Sequence, residues 1–318
     1  MSRPRVLQAG RLMPELEAAL AERFECHALL NEEDPRRFLA EHGAGFTAMA
    51  TSSKNGADAA LMDALPNLKA IAHFGVGYDT VDVAAASQRG IAVSNTPDVL
   101  NDCVADVAMG LLIDAARGLS ASDRFVRRGD WLKGQFPLTT RVSGKKLGIA
   151  GLGRIGQAIA KRAQGFDMEI RYHTRTPVAG VAFPHEASLA GLAQWCDFLV
   201  VIVSGGPATR HLVSAEVIAA LGPQGYLVNV SRGSVVDEAA LVDALVNRRI
   251  AGAGLDVFAD EPRVPPALLE LDNVVLLPHL ASGTRETRQA MADLVLANLH
   301  SFFEHGRLVT PVPAAPPA

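Results

Sequence analysis

Cysteine is scarce in this chain: Cys26, Cys103 and Cys196 stand far apart in 318 residues, with no C-x-x-C pair. A disulfide framework and a zinc site are therefore not expected, and no metal is assigned; a reducing cytoplasm is the expected setting. There is no basic excess. Thirty Lys and Arg face 34 Asp and Glu, for a net charge of −4 and a pI near 6.1. That argues against nucleic acid as a direct partner. No apolar run approaches the ~20 residues of a membrane helix, so no membrane is expected as a partner. The opening Met1-Ser2-Arg3-Pro4-Arg5-Val6 has no apolar signal-peptide core, and a soluble, cytoplasmic protein is expected.

What is present is a large stock of core residues. Hydrophobic residues make up 49% of the chain and charged residues 20%, and the length fits two domains. Strand-like and helix-like segments alternate from the start. Strands are expected at 6–9, 46–51, 68–74 and 91–94, with helices at 12–23, 57–64 and 81–88 between them. Asn95-Thr96-Pro97 interrupts the pattern, and a long helix follows over 101–117. The stretch from Arg127 to Thr140 reads as polar and irregular. A second alternating run then gives strands at 147–150, 169–173, 198–203, 226–230, 252–257 and 274–277. Its helices include 189–195, 215–221 and 238–246, and a last long helix covers 285–303. The proline-rich stretch 311–317 is expected to be extended or disordered.

The expected fold is α/β, with two Rossmann-like or flavodoxin-like doubly wound domains. Residues 1–98 and 286–318 form a discontinuous substrate domain. Residues 99–285 form a dinucleotide-binding domain inserted into it, with a cleft between the two as the natural site.

The organising stretch is Lys146 to Ala160. A short apolar strand runs into Gly151-Leu152-Gly153-Arg154-Ile155-Gly156, and a helical pattern of Ile155, Ile159 and Ala163 follows. Strand, glycine turn and helix in this order are the context a dinucleotide fingerprint requires. Gly151 permits the turn, Gly153 lets a pyrophosphate approach the backbone, and Gly156 lets helix and strand pack closely. The helix N-terminus offers N–H groups to the phosphates. About 20 residues beyond the turn, an Asp or Glu would select NAD by binding its ribose. That position reads Tyr172-His173-Thr174-Arg175-Thr176, with no acid. Arg175 suits a 2′-phosphate, flanked by the hydroxyls of Thr174 and Thr176, so NADPH is the expected cofactor, with NAD also possible.

Three apolar strands end in polar residues: Asn229-Val230-Ser231-Arg232-Gly233, Leu255-Asp256 with Glu261 following, and Leu277-Pro278-His279. Strand ends of a parallel sheet face its ligand crevice. An arginine there holds a carboxylate through paired hydrogen bonds. A histidine supplies an acid near neutrality, and a nearby carboxylate favours the protonated imidazole. Each also has a plainer reading: Arg232 as a surface residue pairing with Asp237, Asp260-Glu261-Pro262 as a solvated turn, His279 as a structural histidine. His73, ending a strand beside Gly75, is a further candidate for the cleft.

Taken together these motifs carry a resemblance. Gly-Leu-Gly-Arg-Ile-Gly, Asn-Val-Ser-Arg-Gly-Ser-Val-Val-Asp, Gly-Leu-Asp-Val-Phe-Ala-Asp-Glu-Pro and Leu-Leu-Pro-His-Leu-Ala-Ser-Gly-Thr stand in order. From near its start to about Pro313 the chain resembles the D-2-hydroxyacid dehydrogenases, most of all their glyoxylate/hydroxypyruvate and hydroxyphenylpyruvate reductases. The resemblance implies Arg232, Glu261 and His279 as catalytic residues and Arg232, His279, Val76 and Gly77 as substrate-binding. It implies Asp256 as the residue that holds the nicotinamide amide, and Val203, Thr209 and Val230 beside the cofactor. The loop Ser204-Gly205-Gly206-Pro207-Ala208-Thr209 departs from the family pattern in its two glycines.

The function expected is NADPH-preferring reduction of small 2-oxo acids, glyoxylate and hydroxypyruvate, to D-2-hydroxy acids. The rivals are a non-catalytic dinucleotide sensor of the same fold and a related dehydrogenase of formate, phosphite or 3-phosphoglycerate. A homodimer is also expected. The 101–117 helix carries Val104, Ala108, Leu111, Leu112 and Ala115, more apolar surface than one crossover needs. The arm around Trp131 and Phe136 reads as exposed.

Overall fold

A computed structural model of the chain describes residues 3–314. Two compact units form, one from the chain up to Leu100 and from Thr284 onward, the other from Asn101 to Gly283. The first unit contains β1 (Arg5–Gln8), α1 (Pro14–Arg23), β2 (Glu25–Ala28), α2 (Pro35–His42), β3 (Ala48–Ser52), α3 (Ala59–Asp63), β4 (Ala70–Phe74), α4 (Val83–Gln88) and β5 (Ala92–Ser94). All its strands pair in parallel, in the order β2-β1-β3-β4-β5. This is the flavodoxin-like order. Strands β3 and β4 are buried along their whole length, as parallel strands covered on both faces must be. Helix α1 starts at Pro14 and buries Leu16 and Leu20.

The second unit contains α5 (Asn101–Arg117), α6 (Leu119–Arg127), β6 (Lys146–Ala150), α7 (Arg154–Gln164), β7 (Glu169–His173), α8 (Leu189–Trp195), β8 (Phe198–Val201), α9 (Ala215–Leu221), β9 (Tyr226–Asn229), α10 (Glu238–Val246), β10 (Gly252–Leu255), α11 (Pro266–Leu269) and β11 (Val274–Leu276). Its parallel sheet has the order β11-β10-β9-β8-β6-β7. The chain passes from β6 out to β7 and back across to β8, so the strand order reverses between β6 and β8. Helix α12 (Arg285–His305) then closes the first unit, capped by Thr284, which accepts the Thr287 N–H at 3.2 Å. Among the described residues no helix is long and apolar enough to cross a membrane.

Several local expectations change. The edge strand β2 and helix α2 have no counterpart in the sequence reading. Neither buries a full apolar face: β2 has no fully buried residue and α2 has none either. Helix α6 at Leu119–Arg127, just ahead of the stretch expected to be irregular, likewise has no counterpart among the expected elements. The apolar positions of α5 are not surplus surface. Val104, Ala108, Leu111 and Leu112 are buried, and Ala115 is half-buried. Gly254 of β10 is the reason α5 lies so close, because a Cβ there would come 2.8 Å from Leu111 Cβ. Phe136 is half-buried, edge-on to Phe125 with ring centroids 5.5 Å apart. The proline-rich end is tied down where it begins: Pro311 bridges Ser94, and the Val312 N–H donates to Val93 O at 2.8 Å. Its continuation over 315–318 lies outside the described residues.

Candidate active site

The glycine turn after β6 has three different physical causes. Gly151 has φ +101°, and a Cβ there would sit 2.4 Å from Ile202 O. A Cβ on Gly156 would sit 2.1 Å from Gly151 O, so this glycine lets α7 pack onto the turn. Gly153 meets nothing within 4 Å. Among the described residues, no atom requires glycine at 153. The open space in front of it, at the N-terminus of a helix with no side-chain cap, fits a phosphate group. Of the neighbouring residues, Leu152 is buried, Ile155 half-buried and Arg154 exposed.

The Gly151 N–H donates to His173 O at 2.9 Å, which sets the turn directly beside the end of β7. Arg175 is exposed there. The Thr174 hydroxyl donates to Thr176 O at 2.7 Å, so it braces its own turn. His173 Nδ1 donates to Glu186 O at 2.8 Å. On the other side of β6, the Ser204-Gly205-Gly206 loop after β8 is closed by Thr209, whose hydroxyl donates to Ser204 O at 2.7 Å. Val203 is half-exposed and Val230 buried.

The strands β9, β10 and β11 lie side by side, and their carboxyl ends bring together the three polar residues that close them. Asn229 is buried at the end of β9; its Oδ1 accepts the Ser231 N–H and hydroxyl, and its Nδ2 donates to Arg232 O at 3.0 Å. These bonds fix the half-buried Arg232, whose guanidinium donates to Ser231 O at 2.9 Å. Asp237 is engaged as the N-cap of α10, accepting the Ala240 N–H. The Arg232 turn closes tightly on the next loop, because a Cβ at Gly233 would lie 1.9 Å from the Phe258 carbonyl carbon. That approach carries Glu261 toward Arg232.

His279 Nδ1 lies 2.7 Å from Glu261 Oε2, and Glu261 Oε1 accepts the Phe258 N–H at 3.1 Å. Burial alone would raise the Glu261 carboxyl. The hydrogen bond and charge of His279, the Phe258 N–H and the Arg232 charge outweigh it and hold the group below the usual carboxylate range. His279 has φ +53°, a left-handed conformation that costs a non-glycine residue energy. Asp256 holds the chain in that shape: its Oδ1 accepts the Leu280 N–H at 2.7 Å and its Oδ2 the Ala281 N–H at 2.9 Å. Asp256 is 1% exposed, and burial pushes its carboxyl above the usual range despite those two donors.

In the first unit, Val76 and Gly77 form the turn after β4. Asn95 Nδ2 donates to Val76 O at 2.8 Å, and His73 Nε2 to Gly77 O at 3.0 Å. His73 is fully buried behind this turn. Asn229 and Asn95 are not among the residues expected at the site. For Asn229 the signal was present: it is a polar residue closing an apolar strand, as Asp256 is.

The same motifs recur in known proteins. Residues 109–281 match the family model for the D-isomer specific 2-hydroxyacid dehydrogenase, NAD binding domain. The chain is 48% identical to a hydroxyphenylpyruvate reductase of Plectranthus scutellarioides, over 96% of this chain and 98% of that one. It is 47% identical to a glyoxylate/hydroxypyruvate reductase A of Arabidopsis thaliana, with the same coverage of 96% and 98%. Among solved structures, an NADPH-dependent glyoxylate/hydroxypyruvate reductase of Sinorhizobium meliloti, in complex with NADP and malonate, superposes with a TM-score of 0.93. It is 48% identical, with all of both chains covered. This chain is a member of the D-isomer-specific 2-hydroxyacid dehydrogenase family.

Proposed function

We propose that this protein reduces small 2-oxo acids, glyoxylate and hydroxypyruvate among them, to D-2-hydroxy acids, with NADPH as the preferred donor. One observation carries the reading: the His279–Glu261 pair, beside Arg232, on the sheet edge that also bears the Gly151–Gly156 turn. An acid, its ionic partner and a guanidinium on the cofactor-binding edge are what carbonyl reduction needs. The names of these relatives agree with it.

Residues 101–283 would hold the cofactor, with Gly153 and the first turn of α7 suited to its pyrophosphate and Thr174, Arg175 and Thr176 to its 2′-phosphate. Leu152, Val203, Thr209 and Val230 line the rest. Bound NADPH supplies the hydride. His279, anchored through Nδ1, gives a proton from Nε2 to the oxygen of the reacting carbonyl. Glu261 stays ionised and stabilises the imidazolium before transfer. Arg232 holds the substrate and polarises its carbonyl. Asp256 fixes the Leu280–Ala281 backbone that presents His279, and its remaining lone pairs would accept from the nicotinamide amide. The N–H groups of Val76 and Gly77 take the substrate carboxylate.

A cytoplasmic homodimer belongs to the same proposal. None of the three cysteines forms a disulfide, and burial pushes the Cys26 and Cys196 thiols up to about 11 and about 12. The dimer rests on the arm after α6, where Trp131 is 68% exposed and Leu132 94%. The deciding experiment is a panel of 2-oxo acids assayed with NADPH and with NADH. Absence of turnover with any of them favours a non-catalytic dinucleotide sensor.

A further inference from the structure

The Val76–Gly77 turn is held from behind at three successive carbonyls. Gly75 O accepts the Thr96 N–H at 2.9 Å, and Val76 O accepts Asn95 Nδ2 at 2.8 Å. Gly77 O accepts from His73 Nε2 at 3.0 Å and from the Ser53 hydroxyl at 3.3 Å. A carbonyl and the N–H of the following residue belong to one planar trans peptide group and point in opposite directions. The bond at Gly75 O therefore sets the direction of the Val76 N–H, and the bond at Val76 O that of the Gly77 N–H. Among the described residues neither N–H has an acceptor, so both face away from the clamp as available donors. A turn rich in glycine has little preference of its own for one peptide orientation. Flipping either peptide would present a carbonyl oxygen to an incoming carboxylate.

Both clamping side chains are fixed in turn. Gly77 O can only accept, so the proton of His73 sits on Nε2, in a ring that is fully buried. A Cβ at Gly75 would come 2.6 Å from Ser53 Oγ and 2.8 Å from His73 Nε2, which shows how closely the turn lies on this pair. Asn95 is pinned through its backbone. Its N–H donates to Thr310 O at 3.3 Å, and the Thr310 hydroxyl donates to Asn95 O at 2.7 Å. Thr310 is locked by Asn298, a fully buried residue of α12 whose Nδ2 lies 2.9 Å from the Thr310 hydroxyl and whose Oδ1 accepts the Thr310 N–H at 3.0 Å.

We propose that Asn95 and His73 are positioning residues for the carboxylate of the 2-oxo acid: Asn95, through Val76 O, aims the Gly77 N–H at it, and His73, through Gly77 O, fixes the peptide that closes the turn and so holds the turn bearing the Val76 and Gly77 N–H groups in place. The proposal rests on the reading that this turn receives that carboxylate. It assigns the segment after α12 a part in substrate affinity, through Thr310 and Asn95. The two residues act on substrate binding and leave proton and hydride transfer to other groups.

The test is steady-state kinetics with glyoxylate at saturating NADPH, together with inhibition by oxalate and direct titration of NADPH. Asn95→Ala and His73→Leu should each raise the glyoxylate KM and the oxalate inhibition constant on the order of tenfold, with kcat within about threefold of wild type. NADPH affinity should not change. His73→Gln keeps an amide N–H close to the position of Nε2 and should stay within about threefold of wild type. Unchanged KM and inhibition constants in Asn95→Ala and His73→Leu overturn the proposal, as does an equal loss of NADPH affinity. If Asn95→Ala does not fold, the His73→Leu and His73→Gln pair decides alone. Val76→Pro, which deletes one of the two donors, tests the underlying reading. A raised KM in Val76→Pro with normal constants in the clamp variants removes the clamp and leaves the reading. A normal KM in Val76→Pro removes both.

Discussion

Glu261 Oε2 stands 2.7 Å from His279 Nδ1, and the two residues reach each other from the ends of neighbouring strands. With Nδ1 taken by this bond, the proposed reaction draws its proton from Nε2. His279→Ala should lower kcat by ~10²–10⁴-fold, the usual cost of losing a general acid. Arg232→Ala should lose most turnover as well, with NADPH affinity close to wild type in both. Glu261→Gln removes the ionic acceptor of the imidazolium and should move the pH profile of reduction toward acid. Steady-state rates across pH check all three, and near-wild-type turnover in His279→Ala and Arg232→Ala excludes the assigned roles.

The two carboxyls of this cluster should affect stability with opposite signs. Glu261 is lowered in the fold, so its contribution is present above its unfolded value of about 4.3 and is lost as the pH falls through the lower folded value. Asp256 is raised, so its contribution is present below about 3.9 and is lost as the pH rises through the higher folded value. Thermal unfolding should show the gap between wild type and Glu261→Gln shrinking below about pH 4. Asp256→Asn leaves one of the two backbone N–H groups without an acceptor, at a cost of about 1–3 kcal/mol, and this variant should gain on wild type as the pH rises from acid. A gap for Glu261→Gln that is the same at about pH 3 and pH 7 contradicts the pairing.

The glycines of the turn should separate folding from ligand approach. Gly156→Ala places a methyl group 2.1 Å from Gly151 O and should lower the unfolding temperature. Gly153→Ala meets open space and should unfold like wild type while binding NADPH at least about tenfold more weakly, because only the ligand is crowded. Calorimetry and NADPH titration on the two variants check this. Unimpaired NADPH binding by Gly153→Ala would place the pyrophosphate elsewhere.

Arg175 is exposed at the end of β7, beside the Gly151 turn, where no carboxylate follows Tyr172. Arg175→Ala should reduce the ratio of kcat/KM for NADPH over NADH by about ten- to a hundredfold, the loss of one charged contact of ~1.5–3 kcal/mol. A wild type that favours NADH, or an unchanged ratio in the variant, refutes the preference.

The arm after α6 exposes Trp131, Leu132 and Leu138, with Leu138 fully solvent-accessible at 103%. Large apolar side chains left exposed in this way are expected to be covered by a second copy. Leu132→Glu combined with Leu138→Glu should shift the mass in solution from dimer to monomer without lowering helix content. A monomeric wild type at micromolar concentration contradicts the dimer.

The sequence by itself determined the parallel α/β character of the chain, most strand positions and the residues that close the strands. These are local signals. A strand buried on both faces is an uninterrupted apolar run, so Phe198–Val201 and Tyr226–Asn229 stand out, and a polar residue closing such a run marks the sheet edge where Arg232, Asp256 and His279 lie. The glycine turn is legible for the same reason, since its three requirements arise within a few residues. Segments with little to bury left no such mark: β2, α2 and α6 are all missing from the sequence reading. Tertiary structure alone decided which way apolar helix faces turn, and it buried the α5 residues that composition would have left for a partner. It alone decided the strand order and, with it, the bonds of Asp256 to residues 24 and 25 positions away and of Asn95 to Val76 and Thr310. Hydrogen bonds of that kind depend on which strand ends become neighbours in space, and hydrophobic periodicity carries no information about that.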